Sequence, residues 1–265
     1  MDFIENISFC KKVQLCSDIH LSPKTELLTS SFCKWLEQTC ILTDEQDRPE
    51  WLLILGDLFD VWLGDDFMKQ NSDISPIPQL EETFLKLKNV GIRLGIMHGN
   101  RDFLLGNDFY SRFSAKPLDP SVKLKAESEN YTLLLMHGDE LCTDDKQHQN
   151  FREITRNEEW KETFLNKNME ERLKIGSELR ELSESAKSEK TLSLMDVNPL
   201  EVDKVLTRSG SDGMIHGHTH LPGKYLLPSG KYRWVIQDWR NVSNSVVGGG
   251  LEVTREKIST LFFRE

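Results

Sequence analysis

No stretch of this chain approaches the roughly 18 consecutive apolar residues that a membrane span requires. The opening segment, MDFIENISFCKK, lacks the basic-then-apolar order of a secretory signal, so export by that route is not expected. Cysteine is sparse. Cys10, Cys16, Cys33, Cys40 and Cys142 are odd in number and contain no C-x-x-C, which suits a reducing cytoplasm better than a disulfide framework. Positive charge is in deficit too, with 33 Lys and Arg against 43 Asp and Glu and a net charge of -10. That balance argues against broad electrostatic binding to nucleic acid. It leaves room for a local basic pocket, or for phosphate held through bound cations.

What is present is a soluble, globular composition, 38% apolar and 29% charged, over 265 residues. That length suffices for one large domain, or for a domain with a sub-domain. Short apolar runs ending in polar, glycine-bearing turns predict buried strands: KVQLCSDIH (12–20), WLLILGD (51–57), IRLGIMHGN (92–100), YTLLLMHGD (131–139) and GMIHGH (213–218). Between some of them lie helical patterns. One places Leu28, Phe32, Trp35 and Leu36 on a single face, and another does so with Leu80, Phe84 and Leu87. Alternating strands and helices predict an α/β sheet covered by helices, with chemistry in the loops beyond the strands' carboxyl ends.

From about 145 to 190 the texture turns rich in Glu and Lys, without proline and with one glycine, and predicts helix. Phe151, Ile154, Trp160, Phe164, Leu165, Met169 and Leu173 are scattered along it. The segment after about 225 reads as β structure with a turn inside SVVGGGLEVTREKISTLFF. There is no internal repeat, low-complexity tract or interdomain linker.

Each strand candidate ends in groups able to bind metal: Asp18 and His20, Asp57, Asn100, His137 and Asp139, then His218 and His220. Singly, an Asp or Asn after a strand is a turn or helix cap. Five such endings in order, several beside glycine, point to a shared site. Two cations roughly 3.5–4 Å apart need a bridging carboxylate, while imidazoles and an amide fill other positions without repelling a phosphate. The oxygen and nitrogen donors suit manganese, iron or zinc rather than a cysteine-rich structural zinc site.

These blocks (D-x-H, G-D, G-N, an H-containing block and G-H-x-H) resemble the calcineurin-like metallophosphoesterase superfamily from Cys16 to Pro222. The longer strings HGNRDFLLG, GDLFDVWLGDD, HGDELCTDD and MDVNP are similar to the UDP-2,3-diacylglucosamine pyrophosphohydrolase family of lipid A biosynthesis. The resemblance implies a four-layer αββα sandwich, with residues 1–145 and 191–265 as core and 146–190 as a helical lid insertion. It assigns Asp18, His20 and His220 to one metal, Asn100, His137 and His218 to the other, and Asp57 as the bridge. Asp57, Asn100 and Arg101 are then the catalytic candidates, and Asn100, Arg101, Asp145, Ser183, Lys187, Lys190 and His218 the substrate-binding ones.

The implied reaction is metal-activated water attack on the α-phosphorus of UDP-2,3-diacylglucosamine, giving UMP and lipid X, usually with two manganese ions. A lipid-nucleotide substrate further implies a cytoplasmic enzyme, peripheral on the inner membrane and touching it transiently, with no obligate protein partner. Arg101 stands where most of the superfamily has histidine, and Leu221 where the closer family has arginine.

Other residues have plainer readings. His98 and His216 read as buried structural histidines, His148 as a solvated helix residue, Cys142 as packing, and Asp60, Asp65 and Asp66 as turn caps. Asp102 either orients its neighbours or serves a turn. Two alternatives stand beside the implied function: an esterase for a soluble phosphodiester or nucleotide, and a non-catalytic scaffold. An apolar lid argues against the first and the intact ligand set against the second.

Overall fold

The structure is a computed structural model that describes residues 4–127, 131–188, 195–243 and 245–265, with the side chains of 181–188 left aside. Its strands form two sheets. In one, β2 (Lys12–Cys16), β3 (Trp51–Leu55), β4 (Arg93–Met97) and β5 (Lys116–Leu118) run parallel. The long strand β12 (Ser245–Thr254) extends that sheet antiparallel and pairs also with β11 (Arg240–Val242) and β13 (Ile258–Arg264). The other sheet has the order β1 (Glu5–Phe9), β6 (Ser121–Ala126), β7 (Thr132–Met136), β8 (Gly213–His216), β10 (Tyr232–Val235), β9 (Gly223–Leu226).

All five predicted strands are present. They are continuously apolar rather than alternating because both faces of each sheet are covered. Leu15, Leu53, Leu55, Leu133, Leu135 and Ile215 fill the space between the sheets. On the outer face of the first sheet lie α1 (Glu26–Leu36), α2 (Asp65–Gln70), α3 (Ile77–Asn89) and α4 (Asn107–Arg112), which bury Phe32, Trp35, Phe84 and Phe109. The second sheet is covered by a helix over Pro199–Ser209, whose Val202 and Leu206 meet Leu134, Met136 and Met214. The result is the αββα layering.

The predicted helical insertion is α5 (Lys146–Arg156), α6 (Glu158–Leu165) and α7 (Met169–Ser188); the Pro199–Ser209 helix is therefore α8. Side-chain caps start α5 and α6, since Asp145 and Asn157 accept from the His148 and Trp160 amides. The insertion is tied to the core by Arg172, only 3% exposed, which donates to the Leu63 carbonyl and to the Asp66 carboxylate. Arg180 pairs with Asp60 in the same way.

Candidate active site

The carboxyl ends of β2, β3 and β4 in one sheet, and of β7 and β8 in the other, meet at one edge of the sandwich. There the backbone leaves ordinary geometry. Of the seven non-glycine residues with positive φ among those described, five are Asp18 (55°), His20 (55°), Asp57 (53°), His218 (64°) and His220 (55°). Left-handed backbone at non-glycine residues costs free energy and persists where surrounding structure enforces it, commonly at functional sites. Two glycines provide the room. A Cβ on Gly99 would lie 2.1 Å from Asp57 Oδ1, and one on Gly217 would lie 2.3 Å from Asp18 Oδ2.

The donor atoms converge. Asp18, His20 and His220 present one ligand atom each within 4.8 Å of one another, as do Asp18, Asp57 and His137. Asp57 Oδ2 lies 4.0 Å from His20 Nδ1 and 3.7 Å from His137 Nε2, so its carboxylate faces both halves of the cluster. Asn100 Oδ1 is 3.1 Å from His137 Nε2 and 2.9 Å from His218 Nδ1. The His137 Nδ1–H donates to the Leu55 carbonyl at 2.8 Å, which in the neutral ring turns the Nε2 lone pair into the site. His220 Nε2 is 3.4 Å from both His20 Nε2 and Asp18 Oδ1. Two carboxylates, an amide oxygen and four imidazoles facing one another make a donor set that fits divalent cations.

The same crowding of carboxylates and rings sets the charges of the cluster. Burial opposes a charge on His137, yet the Asp57 and Asp18 carboxylates overcome it and raise its pKa to about 9. His218 is the converse: burial, with His137 and His148 beside it, holds the ring neutral. Burial would raise Asp18, but its hydrogen bond and charge interaction with His220 carry it below the usual carboxylate range. Burial dominates at Asp57 and raises it.

Asp102 orients its neighbours. Fully buried, it accepts from the amides of Gly99 (2.7 Å), Leu58 (2.8 Å) and Asp57 (3.3 Å), and so ties the loop bearing Asp57 to the loop bearing Asn100. Burial, with Asp57 nearby, lifts its pKa to about 6. His216 is buried as expected, held neutral by burial and by Arg233, with its pKa down to about 4. His98 has a structural role, its Nε2–H donating to the Leu105 carbonyl at 3.0 Å. Asp65 serves its turn by accepting from Trp62 Nε1 and the Gly106 and Phe109 amides.

His148 overturns its reading as a solvated helix residue. Its ring is half-buried and lies 5.1 Å from that of His218, because α5 runs across the site instead of away from it. Helical periodicity marks a face but not what the face meets, so sequence alone could not find it. Asp145 is 7% exposed and caps α5 through the His148 amide. The side chains of Ser183 and Lys187, and all of Lys190, lie outside the described residues.

A cleft of about 610 Å³, including the part open to solvent, runs from Asn100, Arg101 and His148 to an apolar end lined by Leu63, Phe103, Phe151, Trp160 and Phe164. Trp160 and Phe164 stack at 5.0 Å within it. Arg101 is fixed at its backbone, whose amide donates to Asp57 Oδ1 at 2.8 Å, leaving the guanidinium at the cleft.

A strained polar cluster at the joined ends of two sheets defines a phosphoesterase of the metal-dependent class, and a sequence profile described as calcineurin-like phosphoesterase matches residues 11–222. The family's fold implies divalent metal ions. UDP-2,3-diacylglucosamine hydrolase of Shewanella piezotolerans is 40% identical over 223 residues, 84% of this chain and 87% of that protein. Those of Chromohalobacter salexigens (37%, covering 85% and 88%) and Proteus mirabilis (35%, covering 93% and 97%) are similar at comparable length. The chain belongs to this family of UDP-2,3-diacylglucosamine hydrolases within the calcineurin-like phosphoesterases.

Proposed function

We propose that the protein hydrolyses the pyrophosphate of UDP-2,3-diacylglucosamine by water attack at the α-phosphorus, releasing UMP and 2,3-diacylglucosamine 1-phosphate (lipid X). The observation that carries this reading is the continuity of the cleft, which joins the polar cluster at Asn100 to the aromatic lining supplied by the insertion. A small soluble diester has no use for that lining. Burying ten methylenes there is worth roughly 8 kcal/mol gross, enough to hold an acyl chain.

In this reading Asp18, His20 and His220 hold one cation, Asn100, His137 and His218 the other, and Asp57 bridges. Manganese is the ion proposed for each position, one of the three that such mixed oxygen and nitrogen donors suit. When bound, two such cations neutralise phosphate charge and activate water. Arg101 forks onto phosphate oxygens, and since it stays charged near neutral pH it binds rather than transfers protons. The α-phosphorus expels a phosphomonoester, a leaving group that needs little proton assistance. His218 and Asn100 contact the phosphates beside their ligand roles, and Asp145, Ser183, Lys187 and Lys190 contact the polar part of the substrate. Residues 146–190 act as a lid on the core formed by 1–145 and 191–265.

The enzyme works from the cytoplasm, peripheral on the inner membrane. No described helix is long and apolar enough to cross a membrane, while Ile154, Leu165 and Leu173 leave apolar surface exposed on the insertion. The test is incubation of the protein with UDP-2,3-diacylglucosamine and manganese, with mass spectrometry for UMP and lipid X. Hydrolysis of a bis-aryl phosphodiester without those products would redirect the assignment to a soluble substrate, and hydrolysis of neither would leave a scaffold.

A further inference from the structure

The MDVN string closes the insertion, and nothing in the reaction so far uses it. Its Asn198 donates from Nδ2 to both carboxylate oxygens of Asp144 at 3.0 and 3.1 Å, and its amide donates to the Leu141 carbonyl at 2.8 Å. The segment leaving the insertion is thereby stitched to the CTDD segment entering it. Asp196 turns the other way and accepts from Arg233 Nη2 at 2.6 Å. Arg233 stands on β10, is only 4% exposed, and packs its guanidinium over the Tyr225 ring at 4.3 Å.

The second fork of that guanidinium decides the matter. Arg233 Nη1 lies 3.0 Å from His216 Nε2, and since arginine only donates, Nε2 must be the acceptor. The His216 proton therefore sits on Nδ1, which donates to the Gly217 carbonyl at 2.9 Å. That carbonyl belongs to the same planar peptide as the His218 amide. On the far side of that plane the His218 N–H donates to Asp18 Oδ2 at 2.9 Å. Asp196, Arg233, His216 and the Gly217–His218 peptide thus form one chain of hydrogen bonds ending at Asp18. His218 holds φ at 64°, a conformation its own preferences would not keep.

We propose that Asp196 and Arg233 are positioning residues of the metal centre, acting through His216 to set the peptide that aims His218 and Asp18. Partners of this kind, behind a ligand, typically change metal affinity about tenfold to a hundredfold when removed. The inference rests on His218 and Asp18 being metal ligands. A role confined to holding the insertion's exit would alter melting temperature and leave metal affinity alone.

The experiment measures Mn²⁺ binding by isothermal titration on chelator-stripped protein, with kcat and KM on a bis-aryl phosphodiester and thermal melting in parallel. Arg233→Met is expected to bind Mn²⁺ about tenfold to a hundredfold more weakly, with kcat lowered and KM for the small diester near wild type. A folded Arg233→Met with wild-type Mn²⁺ affinity and kcat overturns the proposal. Should that variant fail to fold, Asp196→Asn decides, because its side chain is 23% exposed and its shape is kept. A several-fold weaker Mn²⁺ affinity supports the proposal, and an unchanged one overturns it. His216→Asn keeps a donor for the Gly217 carbonyl and should retain more affinity than His216→Leu; equal affinities count against the peptide-setting route. Wild-type protein that bound no Mn²⁺ would be a different result, the failure of the metal assignment itself.

Discussion

Manganese uptake should expel a proton from His137. With its pKa at about 9, the imidazole is protonated in about 99 of 100 chelator-stripped molecules at pH 7, and a protonated nitrogen cannot ligate. The competition costs about two pH units, or roughly 3 kcal/mol, of apparent binding free energy at pH 7. Apparent Mn²⁺ affinity is therefore expected to rise about tenfold per pH unit from 7 towards 9 and to level above that. The metal-free protein should move oppositely. Its folded-state pKa lies above the ordinary histidine value near 6.5, so the contribution of about 3 kcal/mol is complete below pH 6.5 and lost as pH rises through about 9. Solvent screening does not reduce it, since the side chain is 2% exposed. Isothermal titration at pH 6.5, 7.5 and 8.5, in two buffers of different ionisation enthalpy, would read both the slope and the protons released. Affinity flat with pH, or no proton released at pH 7, would refute the charge balance derived for Asp57, Asp18 and His137.

Asp57→Ala should leave a cooperative melt but lower turnover by several orders of magnitude, measured with saturating Mn²⁺, because both halves of the cluster face its Oδ2. Arg101→Ala should cost on the order of 2–4 kcal/mol in kcat/KM from lost transition-state contacts. An ionisation near pH 6.5 that vanished in that mutant would instead mark a proton-transfer role. Replacing Trp160 and Phe164 together by serine should cut hydrolysis of the diacylated substrate and spare a small water-soluble diester. Parallel losses on both substrates would mean that the two rings only dock the insertion.

Much of the site was legible in the chain because strand ends are local. An apolar run followed by Asp18, Asp57, Asn100, His137 or His218 is a pattern that needs no neighbour to be read, and it placed seven donors in order. The helical insertion was legible for the same reason, since its composition and lack of proline are local properties. Strands β1 and β6, with their half-exposed alternating residues, carried no comparable signal, so the second sheet's outer part emerged only in three dimensions.

Tertiary structure alone decided which groups stand behind the candidate donors. Asp102 reads as a turn residue until four loop amides are seen to converge on its carboxylate. His148 reads as solvated until α5 is laid across His218. Arg233 and Asp196 are 37 residues apart, and their meeting depends on how β10 pairs with β8 and where the insertion returns. Candidate donors follow from residue type at the end of an element, which the sequence by itself displays. Their supports follow from distances between elements, which depend on packing and leave no trace in spacing.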